Sequence, residues 1–132
     1  MTQQIATFLM FQDGKAEEAM TFYVSLFDDA KVVDVGHYGP DEAGAEGSVR
    51  HAAFRLAGRD YMCIDSPVQH GFGFTPSISL YVTVDSEAEF DRLWAALHEG
   101  GETLMAPGDH GFSTKFGWLN DRYGVSWQLN LP

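Results

Sequence analysis

Basic side chains are scarce in this chain. Lys and Arg number 8 against 19 Asp and Glu, giving a formal net charge of −11. Nucleic acid and anionic membrane surfaces are excluded as partners, because like charges repel and no basic cluster offsets them. No apolar run approaches the roughly 20 residues that span a bilayer. The opening Met1-Thr-Gln-Gln carries no basic leader region, so a cytoplasmic location is the expectation. Cys63 is the one cysteine, which rules out an internal disulfide. It stands in the apolar run Tyr61-Met-Cys-Ile64, where burial is expected to keep the thiol inert. The histidines, His37, His51, His70, His98 and His110, include no pair at helical ligand spacing and no His-x-His. None of Ser66, Ser77, Ser79, Ser113 and Ser126 has the context of a nucleophile elbow.

What is present is ample apolar and aromatic material, led by ten phenylalanines, in 132 residues. That length suits one ordinary domain with a real core. Ile5 to Phe11 reads as a strand. Ala16, Ala19, Met20, Tyr23 and Phe27 then recur at helical spacing, with Asp13 as the expected cap and Asp28-Asp29 as the end. Lys31 to Tyr38 reads as a β-branched strand, and Gly39 to Gly47 as an acidic loop with nothing to bury. Val49 to Leu56 and Asp60 to Ile64 form a predicted hairpin around Ala57-Gly58-Arg59. After a connector over 67–76 the pattern restarts. Ser77 to Val84 is a strand, Ser86-x-x-Glu89 a capping box, and Phe90, Leu93, Trp94 and Leu97 a helical stripe stopped by Gly100-Gly101. Glu102 to Met105 is a short strand. Lys115 to Asn120 and Val125 to Leu131 close the chain as a hairpin turning on Asp121-Arg-Tyr-Gly124.

The order is therefore β-α-β-β-β twice, an α+β chain of two modules over 1–66 and 77–132. Asp13 and Asp85, Ala16 and Ala88, and Glu17 and Glu89 recur at one common spacing. Neither half has enough strands to bury both faces, so the modules are expected to pair. In the final strand Ser126, Gln128 and Asn130 share one face, and Val125, Trp127, Leu129 and Leu131 the other. An amide at the centre of such a strand either lines a cavity or faces water.

Several segments carry a family likeness: Glu18 to Phe27, Val49 to Phe54, Met62 to Ser66, Phe74 to Leu80, Lys115 to Trp118 and Asp121 to Leu129. Through them the chain resembles the vicinal-oxygen-chelate superfamily of glyoxalase I, bleomycin-resistance proteins and extradiol dioxygenases. More narrowly it resembles the PhnB-like, demethylubiquinone methyltransferase-like branch. The resemblance implies two paired βαβββ modules forming a cupped, mostly antiparallel sheet whose hollow holds a ligand. It also implies metal-ligand positions near Ala6, Met62, Ser79 and Gln128, with Asp65 the closest carboxylate in the first module. Alanine and methionine offer no oxygen or nitrogen donor, and serine and glutamine bind a cation weakly. The expectation is thus a module without the family's metal and without another cofactor. Methyl transfer finds no support either, since no glycine-rich nucleotide loop follows a strand.

For binding, the residues singled out are His51, Arg55, Tyr81, Trp118 and Gln128. His51 is expected to share a strand face with Val49, Ala53 and Arg55. That face is either solvated or a pair of polar anchors for an anionic or carbonyl-bearing ligand. Tyr81 shares its face with Ser77, Ser79 and Thr83 and is the aromatic placed most readily in the hollow. His70-Gly-Phe72 and His110-Gly-Phe112 either form turns anchored by phenylalanine or rim the cup. Asp65 reads as a capping acid or, if held dry, a general base. Three functions remain in contention: a metal-free small-molecule binder, a metal-dependent lyase, isomerase or resistance-type thiol transferase, and a structural dimer. The binder is the leading reading, as a homodimer with a small organic ligand.

Overall fold

The first and last strands of each predicted module lie side by side. In the computed structural model, which describes residues 2–132 and leaves Met1 outside, the elements follow the predicted order. They are β1 (Thr7–Phe11), α1 (Ala16–Val24), β2 (Lys31–His37), β3 (Val49–Leu56), β4 (Arg59–Asp65), β5 (Leu80–Thr83), α2 (Glu87–His98), β6 (Glu102–Gly108), β7 (Lys115–Asn120) and β8 (Ser126–Leu131). They divide into one compact unit ending at Gly73 and a second from Phe74 to Pro132. Each unit holds one four-stranded sheet. The orders are β1-β4-β3-β2 and β5-β8-β7-β6, so the duplication is one of topology as well as sequence. In each sheet the first and last strands run parallel, β1 with β4 and β5 with β8, and the other pairs run antiparallel.

A helix covers one face of each sheet. In the first unit Ala16, Ala19, Met20 and Tyr23 are all buried, as their spacing requires, over Leu9, Phe11, Ala52, Phe54 and Cys63. Burial pushes the Cys63 thiol up to about 12, and the charges of Asp65 and Glu17 add to the effect. In the second unit Phe90, Leu93 and Leu97 bury with Leu119, Trp127 and Leu129. Gly117 gives α2 room to approach, because a Cβ there would stand 2.6 Å from the Trp94 ring.

The helix ends depart from expectation. Asp13 does not cap α1. Lys15 holds the cap position without a side-chain bond, and the Ala16 amide donates to Asp65 Oδ1 at 3.0 Å from across the unit. The helix also stops at Val24, before Phe27 and Asp28. In α2, Ser86 accepts the Glu89 amide as predicted, but the Glu89 carboxylate is held by Arg92 rather than completing the box.

One irregularity reorients a side chain. On β3, Gly36 pairs with His51 while His37 pairs with Val49, so Arg50 is an extra residue in the ladder. This bulge turns Val49 into the core, fully buried, and removes it from the face of His51 where simple alternation places it. The loop over 39–47 is not empty. Tyr38 is buried at its base, and Gly44 packs so closely that a Cβ would stand 2.3 Å from the ring.

The β3–β4 turn contains an avoidable cost. Ala57 and Gly58 both have positive φ, 50° and 76°, the requirement of a tight two-residue hairpin turn. Alanine in that region is disfavoured by about 1 kcal/mol, whereas asparagine tolerates it. Ala57→Asn is therefore expected to stabilise the protein by about 0.5–1 kcal/mol. A urea midpoint that failed to rise, at unchanged slope, would show the turn to be unstrained.

Candidate functional site

The helix-free face of the second unit carries its candidate site. Register places Tyr81 beside Gln128, and Gln128 beside Trp118, in one row across β5, β8 and β7. The next row sets Thr83, Asn130 and Phe116 side by side. All point away from α2, whose face instead takes Trp127 and Leu129. Tyr81 is 54% exposed, while Trp118 and Gln128 are half-buried. The Gln128 amide donates from Nε2 to Ser79 Oγ at 2.7 Å. The indole of Trp118 donates from Nε1 to Ser126 Oγ at 2.8 Å. Both side chains are thus fixed by serine hydroxyls of the same unit.

An aromatic cluster, missed in the sequence, borders this row. Phe116 lies under Phe112 at 4.9 Å between ring centroids, edge to face, with His110 at 6.0 Å and Tyr81 at 6.4 Å. His110 also reaches the Ala106 carbonyl at 2.8 Å from Nε2. Phe112 remains exposed, so its loop both anchors to the sheet and presents a ring at its margin. The strand alternation that groups Phe116 with Trp118 was the available signal.

In the first unit the corresponding face carries Phe8, Met62 and Ala53 in one row. His51 lies on this face, 6.4 Å from the ring of Phe8. Arg55 is an ion-pair partner of Asp60 at 3.6 Å, and its buried Nε takes no hydrogen bond among the described residues. The five sequence-predicted residues therefore fall into two sets: His51 and Arg55 on one sheet, Tyr81, Trp118 and Gln128 on the other. The second tripeptide loop repeats the pairing seen at His110. His70 stacks on Phe72 at 5.0 Å, and Ser66 Oγ lies 3.1 Å from its Nε2. Of the other histidines, His37 bonds Glu17 at 2.7 Å, and His98 bonds Thr103 and stacks on Trp94.

The donor set does not fit the family's metal. At the two implied positions of the second unit, Ser79 and Gln128 are neutral and bonded to each other. In the first unit, Ala6 and Met62 supply neither oxygen nor nitrogen side-chain donors. Asp65 is a capping acid of the core: it is 4% exposed, and its two oxygens accept the amides of Ala16 and Val49. No three His, Cys, Asp or Glu side chains converge among the described residues.

Comparison with known proteins agrees with this architecture. The family model described as 3-demethylubiquinone-9 3-methyltransferase matches residues 3–130. A PhnB protein from Bacillus cereus is 55% identical over 98% of this chain and 100% of its own, with a TM-score of 0.95. A glyoxylase/bleomycin resistance protein/dioxygenase domain from Frankia sp. is 14% identical, over 99% of this chain and 92% of its own, with a TM-score of 0.68. The fosfomycin resistance protein FosX from Mesorhizobium loti, also 14% identical, is covered to 91% by 98% of this chain, with a TM-score of 0.63. The last two are likenesses of fold alone. A search of curated proteins found no match. With a family model spanning almost the whole chain and a relative 55% identical over its full length, the chain belongs to the PhnB-like family that this model describes, with the fold of the glyoxalase/bleomycin-resistance proteins.

Proposed function

We propose that this chain binds a small organic molecule and does so without the superfamily's metal. The row Tyr81, Gln128, Trp118 is the recognition element of the second unit; within the first unit, taken by itself, His51 and Arg55 are the polar anchors. The observation that carries this reading is the bond between Gln128 and Ser79, because the two implied metal-ligand positions are occupied by neutral side chains bonded to each other. The amide is oriented by that bond, and the rings on either side of it supply the apolar contact that small-molecule sites use. The reading includes a homodimer in the cytoplasm, and it does not include methyl transfer.

Metal analysis of protein purified without chelators tests it directly. Substoichiometric zinc, nickel, manganese and iron are expected, together with a metabolite or antibiotic that raises the melting temperature equally with and without divalent ions. A stoichiometric metal retained on purification would overturn the reading in favour of glyoxalase-type or resistance-type chemistry. A screen in which no small molecule shifts the melting temperature would leave a structural dimer.

A further inference from the structure

We infer that the ligand held by the second unit is a flat, uncharged aromatic molecule bearing a hydrogen-bond donor on its edge. This rests on the small-molecule reading above and narrows it to a chemical class.

Ring geometry is the first argument. Tyr81 and Trp118 are neighbours of Gln128 on opposite sides, so their backbones stand two strand spacings apart, about 9.6 Å. Trp118 leans from β7 toward β8, where its indole is held by Ser126. The two rings flank the amide, and their π-faces offer a flat aromatic ligand stacking contact that a puckered aliphatic ring of the same atom count does not obtain. The indole has its single polar atom satisfied by Ser126, so what it offers a ligand is its π-face.

Hydrogen-bond polarity is the second argument. Gln128 lies between the two rings. Its Nε2 is committed to Ser79, and its Oε1 takes no hydrogen bond among the described residues. The free group in the middle of the row is therefore an acceptor, which selects a ligand with an N–H or O–H. Charge is the third. Tyr81, Thr83, Phe116, Trp118, Gln128 and Asn130, the two rows of this face, include no cation to hold an anion, and the chain as a whole carries −11. An anionic ligand is disfavoured by both.

Four probes of matched size separate these requirements: 2-naphthol, 2-methoxynaphthalene, trans-2-decalol and 2-naphthoate. Isothermal titration with the intact protein is expected to rank 2-naphthol first. The methoxy compound, which lacks the donor, is expected to bind roughly 3–10-fold more weakly, the value of one neutral hydrogen bond. The saturated alcohol and the carboxylate are each expected to lose at least about tenfold. Gln128→Leu is expected to erase the preference for naphthol over its methyl ether. Tyr81→Leu, at an exposed position, is expected to erase the preference for naphthol over decalol while retaining the fold. Equal binding of the ether, the saturated alcohol or the carboxylate would overturn the inference yet leave the small-molecule reading standing. If none of the four binds while the metabolite screen succeeds, the class assignment fails. If neither experiment finds a ligand, the reading beneath it fails as well.

Discussion

Asp121→Ala is expected to destabilise the protein by about 3–5 kcal/mol, a large part of the stability of a domain this size. Asp121 is 3% exposed at the start of the final turn. Its Oδ1 accepts the amides of Tyr123 and Val125, at 2.9 and 3.0 Å, and its Oδ2 accepts the indole Nε1 of Trp127 at 2.9 Å. Val125 and Trp127 are themselves buried, so alanine would strand their donors away from water at roughly 1–3 kcal/mol each. Asparagine makes a sharper test. Its one oxygen still serves the two amides, but its NH2 group opposes the indole N–H, so an intermediate loss of about 1–3 kcal/mol is expected. Urea unfolding reads both variants. An alanine variant within about 1 kcal/mol of the parent would show that the carboxylate does not hold this hairpin. Binding should weaken along with stability, since the two strands joined by this turn carry Trp118 and Gln128.

The second large effect is expected at Asp65, which ties three elements of the first unit together. Its carboxylate accepts the amide of Ala16 at the start of α1 and that of Val49 at the bulged start of β3. Its backbone carbonyl accepts the hydroxyl of Tyr38 at 3.1 Å. A negative charge at the first turn of a helix is favourable in its own right. Asp65→Ala is expected to lose about 2–4 kcal/mol. Here asparagine gives little relief, because each oxygen serves a different donor and the amide retains only one acceptor. The contrast is the test. Asp65→Asn should fall close to Asp65→Ala, whereas Asp121→Asn should fall between its parent and its alanine variant. Equal recovery at both positions would mean that the hydrogen bonds described at Asp65 are not its principal contribution.

Those two carboxylates mark where reading the sequence stops being sufficient. Asp121 was legible as the polar start of a turn, because its partners are two to six residues away. Asp65 was legible only as a capping acid, since the amides it serves lie far off in sequence and nothing local points to them. The same limit explains Asp13, which has the chemistry and spacing of a helix cap yet makes none. A competing acid arrives from β4 and takes the amide. Val49 was misplaced for a related reason, because alternation is a property of a regular strand and the extra residue at Arg50 resets its phase.

The candidate site divides along the same line. The faces of Gln128 and Tyr81 were legible because alternation along a strand is a local rule, and each lies on a strand without an interruption at that point. Their arrival in a single row was not legible, since register between strands depends on how the ladders pair. Phe8 was hidden at the start of the apolar run Phe8 to Phe11, which gives no hint of its faces.

The order of elements, the duplication, the helix faces and the excess of negative charge were settled by the amino-acid sequence alone. Periodicity and composition are expressed over a few residues at a time, and no distant partner is needed to read them. Tertiary structure decided which acid caps which helix, which hydroxyl orients Gln128, and which rings flank it. Those choices depend on contacts between residues remote in the chain, where several chemically competent groups compete and packing selects one.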